Sequence, residues 1–213
     1  MTAWTGILLL AGAEAAMAVE EPTYRVLERR EAFEVRVYAP VVVAETSVAG
    51  EFGPAGNEAF RLLAGYIFGG NGGGKKIAMT APVVTEPRGG TRIAMTAPVA
   101  QERRGESWVV SFTMPSEWTL ESLPVPDDPR VTLREVGPRR VAAVSFSGTW
   151  GVERFEEKTR ELLDEIGKAG LVPASPPVYA RYDPPWTPWF LRRNEILVPL
   201  AEVPAPEKSR GPG

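Results

Sequence analysis

Hydrophobic positions along this chain recur with two different periods. Alternating stretches of period two read as strands at residues 35–38, 41–44, 47–49, 108–114, 131–136, 141–146, 178–182 and 194–199. Between residues 152 and 168, Phe155, Thr159, Leu162, Leu163 and Ile166 recur at i, i+4, i+7, i+8 and i+11. That spacing makes one apolar stripe on a helix. Its other face is charged, with Glu156 four residues before Arg160 in the favourable order. Thr149 is placed to cap the start of this helix and Gly170 to end it. A first helix is expected over residues 54–68, with Pro54 in its opening turn and Phe60, Leu63 and Ile67 facing inward. The glycine-rich stretch 69–74 stops it. That stretch lacks the GxxxxGK[ST] order and follows a helix instead of preceding one, so it reads as a connection and not a phosphate loop.

Two repeats organise these elements. The octapeptide at 76–83 (KIAMTAPV) returns at 92–99 as RIAMTAPV, with a Pro- and Gly-containing segment between the copies. The pattern predicts a hairpin in which Ile77, Met79, Ile93 and Met95 share a face, each strand ending or bulging at its Pro. The second repeat is longer. Pro40/Pro138, Ser47/Ser145, Gly50/Gly148, Phe52/Trp150 and Gly53/Gly151 all match at an offset of 98 residues. A duplicated strand–helix–strand–strand unit follows, with the hairpin supplying the later strands of the first copy and residues 178–182 and 194–199 those of the second. Residues 108–114 and 131–136 are then further strands between the halves. The expected product is one α+β domain, a distorted antiparallel barrel with two helices packed outside.

Composition removes most familiar chemistries. The chain has no Cys and no His, which excludes disulfides, thiolate nucleophiles, zinc-thiolate sites, CxxCH haem attachment, Ser-His-Asp triads and imidazole axial ligands. The net charge is −3, and basic pairs such as Arg29-Arg30 and Arg139-Arg140 are scattered instead of clustered, which argues against nucleic acid as a partner. The apolar run 7–18 is too short to cross a bilayer, so stable membrane insertion is not expected. It ends in Ala16-Met17-Ala18 and reads as a signal peptide cleaved after Ala18, although no basic residue precedes it and Glu14 interrupts it. That reading puts the mature protein in the periplasm or outside the cell, with the domain over 19–200 and a Pro- and Gly-rich tail over 201–213. A packed N-terminal helix in a cytoplasmic protein is the alternative.

The 98-residue duplication, the KKIAMTAPV segment, the strand ending in Met114-Pro115 and the closing RYDPPWTPWFLRRNEILVPL together resemble the SOUL haem-binding family. The resemblance spans residues 24–199. It implies the duplicated barrel fold, related to bacterial effector-binding domains, and reversible non-covalent binding of haem or other tetrapyrroles. Some members of the family ligate iron through a His, which this chain lacks. Iron ligation would therefore fall to Met, Tyr or Lys, or the porphyrin would lie on an apolar surface with its propionates paired to Lys or Arg.

Candidate site residues follow, each with a structural alternative. Met79 and Met95 occupy equivalent repeat positions and fit either thioether ligation or core packing. Lys75 and Lys76 suit propionates or simple solvation. Phe60, Tyr66, Ile67 and Phe68 fit a cleft wall or the core. The stiff aromatic segment containing Trp186, Trp189 and Phe190 fits a lid over a planar ligand or a plug for the barrel end. Arg192 and Arg193 follow it and place positive charge at the rim, with Glu195 able to pair with one of them. Two other functions compete with tetrapyrrole binding. One is capture of other flat hydrophobic molecules. The other is hydrolysis by a Glu general base, with Glu195 or Glu58 as candidates. Bound haem would also permit adventitious peroxidase activity.

Overall fold

Nine strands form one antiparallel sheet in the computed structural model, which describes residues 20–72, 93 and 95–201. In chain order these are β1 (Tyr24–Arg29), β2 (Glu34–Tyr38), β3 (Val41–Ala49), α1 (Phe52–Ile67), β4 (Val99–Arg104), β5 (Ser107–Thr113), β6 (Thr132–Val136), β7 (Arg139–Phe146), α2 (Val152–Lys168), β8 (Val178–Arg181) and β9 (Asn194–Pro199). A 3-10 turn, Trp189–Leu191, precedes β9. The sheet curls into a half-barrel with the two helices packed on one face. Residues 1–18, read above as a signal peptide, Lys75, Lys76, Met79 and the tail beyond 201 lie outside the described residues.

The duplication governs the topology. The strand order is β1-β2-β7-β9-β8-β4-β5-β3-β6. Leaving out β1, it reads the same from both ends once β2 is matched with β6, β3 with β7, β4 with β8 and β5 with β9. Register repeats as well. Arg36 faces Val141 across β2–β7, and Arg134 faces Val43 across β3–β6, each residue shifted by the same 98 positions. The halves join at the β4–β8 seam, where Gln101 faces Tyr179.

This arrangement corrects two expectations. Among the described residues the strands that follow α1 are β4 and β5, and the described part of the second octapeptide copy before Val99 is not strand. Residues 95–98 form an irregular approach to β4, and residues 76–83 lie outside the described residues. Pro98 cannot donate a ladder bond, and the segment is held otherwise, by Ala97 N–H donating to Glu20 O at 2.9 Å and by the Thr96 hydroxyl donating to Thr113 O. Segments 108–114 and 131–136 are therefore not extra strands. The first overlaps β5, the counterpart of β9, and the second contains β6, the counterpart of β2.

Both helices end the same way, and the reason is glycine. Gly69 and Gly170 adopt left-handed φ of 110° and 68°. Gly70 N–H then donates back to Gly65 O at 2.8 Å, and Leu171 N–H to Ile166 O at 3.0 Å, which satisfies carbonyls the helix leaves open. At the starts, neither helix has a side-chain cap. Gly151, not Thr149, is the N-cap of α2.

The main core lies between sheet and helices, where Val35, Ala44, Val110, Ala142, Ile196 and Val198 meet Leu63, Phe155 and Ile166. Each large aliphatic or aromatic side chain buried there contributes roughly 1.5–3 kcal/mol. Leu163, expected in the α2 stripe, is half-exposed at its edge. Helix α1 approaches the seam closely at Gly56, where an added Cβ would sit 3.0 Å from Gln101 Oε1 and 3.2 Å from Arg181 Nη2. Buried Gln101 ties the two layers, donating through Nε2 to Phe52 O at 3.0 Å and accepting from Arg181 Nη2 at 2.8 Å.

Candidate functional site

Strand alternation sends Trp108 of β5 and Tyr179 of β8 to the helix face of the seam. There they meet the two aromatic residues that the duplication makes equivalent, Phe52 and Trp150, at the entrances to α1 and α2. The Phe52 ring packs edge-on to Trp108 at 5.1 Å and to Tyr179 at 5.6 Å. A groove of about 1040 Å³ opens over this cluster, lined also by Leu163, Arg103, Glu51 and Glu156.

Three guanidinium groups pack on the aromatic cluster, of which Arg103 lines the groove beside Glu51 and Glu156. The Arg181 guanidinium stacks on Phe52 at 5.6 Å and on Trp150 at 5.4 Å, and Arg192 covers Trp150 at 4.4 Å. Arg103 lies 5.8 Å from the Trp108 ring. Burial brings the Arg181 guanidinium down to about 10, so it stays charged at neutral pH, and its side-chain hydrogen bond goes to the amide of Gln101 instead of a carboxylate. The two uncapped helix starts add the positive ends of their dipoles. Trp150 is fixed by donating from Nε1 to Asn194 Oδ1 at 3.1 Å. The groove can hold a flat aromatic ligand and attract acidic substituents.

A second constellation lies under the opposite, inner face. Arg36 and Glu195 are 4% and 3% exposed and meet at 3.0 Å. Glu195 also accepts from Ser145 Oγ at 2.6 Å and from Tyr182 OH at 2.7 Å. Arg36 reaches Glu34 at 2.8 Å and Tyr38 OH at 3.3 Å. The partner of Glu195 is thus Arg36, not Arg192 or Arg193. With three donors on its oxygens, Glu195 ties β2, β7 and the start of the β8–β9 connection together. Glu58 is half-exposed on α1, 3.9 Å from Arg130.

The other residues singled out in the sequence are dispersed. Tyr66 is core, its hydroxyl donating to Pro124 O at 2.9 Å, with burial pushing the phenol up to about 12. Ile67 is buried beside it, Phe60 is half-exposed against Phe112, and Phe68 is exposed. Met95 is 43% exposed on the irregular approach to β4. Trp186 stands 82% exposed, with Trp189 and Phe190 exposed next to it. Arg192 binds its own loop through Thr187 O and Pro185 O at 2.8 and 2.6 Å, besides covering Trp150. Arg193 pairs with Glu21 and stacks on Tyr182 at 3.7 Å.

Arg103, Trp108, Trp150, Tyr179 and Arg181 were not singled out as site residues. The Phe52/Trp150 match at one offset was the signal available for two walls of the groove. Nothing in the sequence announces the folding of β5 and β8 beneath them. Among the described residues, no cluster of three or more acidic side chains is placed to hold a metal ion, and no helix is long and apolar enough to cross a membrane.

Solved structures share this fold at low identity. The C-terminal domain of EcmrR aligns with a TM-score of 0.55 at 10% identity, covering 84% of this chain and 99% of its own. A hydrolase from Listeria innocua aligns at 0.54 and 12% identity, covering 82% of this chain and 94% of its own. A conserved protein of unassigned function from the same organism aligns at 0.52 and 10%, covering 81% and 93%. No curated protein sequence matches the chain. The family model described as SOUL heme-binding protein matches residues 19–199, the whole of the folded sheet and both helices, and this chain is a member of the SOUL haem-binding family.

Proposed function

We propose that the protein binds haem or a related tetrapyrrole in the groove between the helix entrances, by stacking and charge pairing, with no imidazole bond to iron. The observation that carries this reading is the aromatic floor of Phe52, Trp108, Trp150 and Tyr179 with Arg103 in the groove lining, backed by Arg181 and Arg192 stacked on the Phe52 and Trp150 rings. A porphyrin ring is flat and apolar, and its propionates are anionic. The groove supplies a matching surface for the ring, Arg103 for one carboxylate, and the positive potential of the adjoining Arg181 and Arg192. Among the described residues neither Met nor Lys lines the groove, and the Tyr179 phenol is packed into the aromatic cluster. When bound, haem supplies a redox-active iron and an intense visible absorption. The chain's own residues orient the ring and neutralise its propionates.

Hemin titration tests this. One equivalent saturates a Soret change in the wild type, and Trp150→Ala weakens binding about tenfold or more. No Soret change at micromolar hemin, or unaltered affinity in Trp150→Ala, contradicts the groove. The apolar run 7–18 supports export with cleavage after Ala18, and the family match beginning at residue 19 agrees with it. N-terminal sequencing of the secreted product checks that assignment.

A further inference from the structure

The inner face of the half-barrel holds a cavity of about 320 Å³ that shares no lining residue with the helix-side groove. Its floor is apolar, built from Tyr38, Val141 and Leu197 of the second hydrophobic cluster together with Val43 and Val109. Three guanidinium groups and two carboxylates line it. Arg134 is held two-pronged by Glu45 at 3.2 and 2.8 Å, and Arg104 by Glu102 at 3.3 and 3.2 Å. Arg139 is the cation left over. Among the described residues no carboxylate oxygen lies within salt-bridge distance of it, its Nη1 is buried without a hydrogen-bond partner, and its guanidinium lies over the Tyr38 ring at 5.2 Å.

A buried guanidinium nitrogen without a protein acceptor is costly to keep. Burial accordingly lowers the Arg139 pKa, and the nearby Arg134 charge acts in the same direction. A replaceable structural role would be met equally well by an aliphatic side chain, whereas an anion brought to this position would satisfy the donor and neutralise the surplus charge at once.

We propose that the inner cavity binds a small amphiphilic monoanion, an aryl or alkyl carboxylate, with its carboxylate on Arg139 and its apolar body against Tyr38, Val141 and Leu197. The site is independent of the tetrapyrrole reading, because it lies on the other face of the sheet.

Calorimetric titration with naphthalene-2-carboxylate and with 2-naphthylmethylammonium, which carry the same ring and opposite charges, tests the assignment. The carboxylate binds the full-length protein one to one, equally in hemin-loaded and hemin-free samples, and the ammonium does not compete. Arg139→Leu weakens carboxylate binding about tenfold or more while raising Tm, a combination that a merely structural arginine would not give. Arg139→Gln serves the same purpose should the leucine variant fail to fold. Carboxylate and ammonium binding alike, no carboxylate binding at millimolar concentration, or unchanged affinity in both Arg139 variants overturns the proposal. Competition by hemin would also overturn it, by placing both ligands in one site.

Discussion

Arg36 and Glu195 meet at 3.0 Å although 159 residues separate them in the chain. Arg36 lies on β2 and Glu195 on β9, both of which pair with β7, so the ion pair bridges the two halves of the duplication across the strand between them. Glu195 is also the acceptor for Ser145 and Tyr182. Removing the carboxylate would leave buried Arg36 with Glu34 as its one remaining carboxylate and take the acceptor from Ser145 and Tyr182, which costs about 3–5 kcal/mol. Glu195→Ala should lose about that much in urea unfolding. The double change Arg36→Met with Glu195→Leu should recover a large part of it, because the buried charge is then gone. A loss below about 1 kcal/mol in the single variant would contradict the assigned role.

Alkali should destabilise the fold through its tyrosines. Burial raises the pKa values of Tyr38, Tyr66 and Tyr182 above the ordinary 10.0, Tyr66 to about 12. Below pH 10 these phenols are neutral in both folded and unfolded chains, so their contribution is constant. Above it the unfolded chain loses protons that the folded chain retains, and stability falls as pH rises. For Tyr66, a shift of two pH units corresponds to about 2 kcal/mol lost between pH 10 and 12. Unfolding measured across that range should show the decline, and Tyr66→Phe should make it shallower.

Two glycines near the start of α1 should respond in opposite ways. Gly56→Ala places a methyl 3.0 Å from Gln101 and 3.2 Å from Arg181, whereas Gly53→Ala meets nothing within 4 Å. The first should cost about 1–3 kcal/mol. The second should be neutral or stabilising by up to about 1 kcal/mol, since alanine is the better helix former. Paired denaturation curves compare them directly, and equal effects would mean that α1 does not sit this close to the seam.

The Trp186–Leu191 segment packs on the domain by its backbone more than by its rings. Gly148 N–H donates to Trp189 O at 3.1 Å, while the Trp186 ring is 82% exposed. Trp186→Ser should therefore change stability by no more than about 0.5 kcal/mol. Binding of an environment-sensitive hydrophobic dye should fall in the same variant. A large stability loss would show that this ring plugs the barrel instead of standing on its surface.

Local patterns in the sequence carried much of this architecture. The α2 stripe placed its helix at 152–168, and the 98-residue offset anticipated the equivalence of Phe52 with Trp150. Glycines 69 and 170 marked both helix ends. What local pattern does not encode is which strands become neighbours. The repeated octapeptide looked like a hairpin because hydrophobic alternation is local, while Pro98 and contacts to Glu20 and Thr113 keep its second copy irregular. β1 and β4 were missed because their exposed faces are charged and their alternation is weak. The groove arginines and the Arg36–Glu195 pair are joined only by the seam and the cross-half pairings, so their chemistry is readable only after folding.

The central claim is tetrapyrrole binding without a bond from a protein side chain to iron, and iron-free protoporphyrin IX tests it most directly. If stacking on Trp150 and Trp108 with guanidinium pairing of the propionates holds the ligand, protoporphyrin IX and hemin should each bind one to one. Their Kd values should agree within about threefold, less than 1 kcal/mol, and both should weaken in Trp150→Ala. Hemin binding with protoporphyrin IX weaker by about a hundredfold or more, which is about 2.8 kcal/mol, would assign the missing energy to an axial ligand and contradict the account.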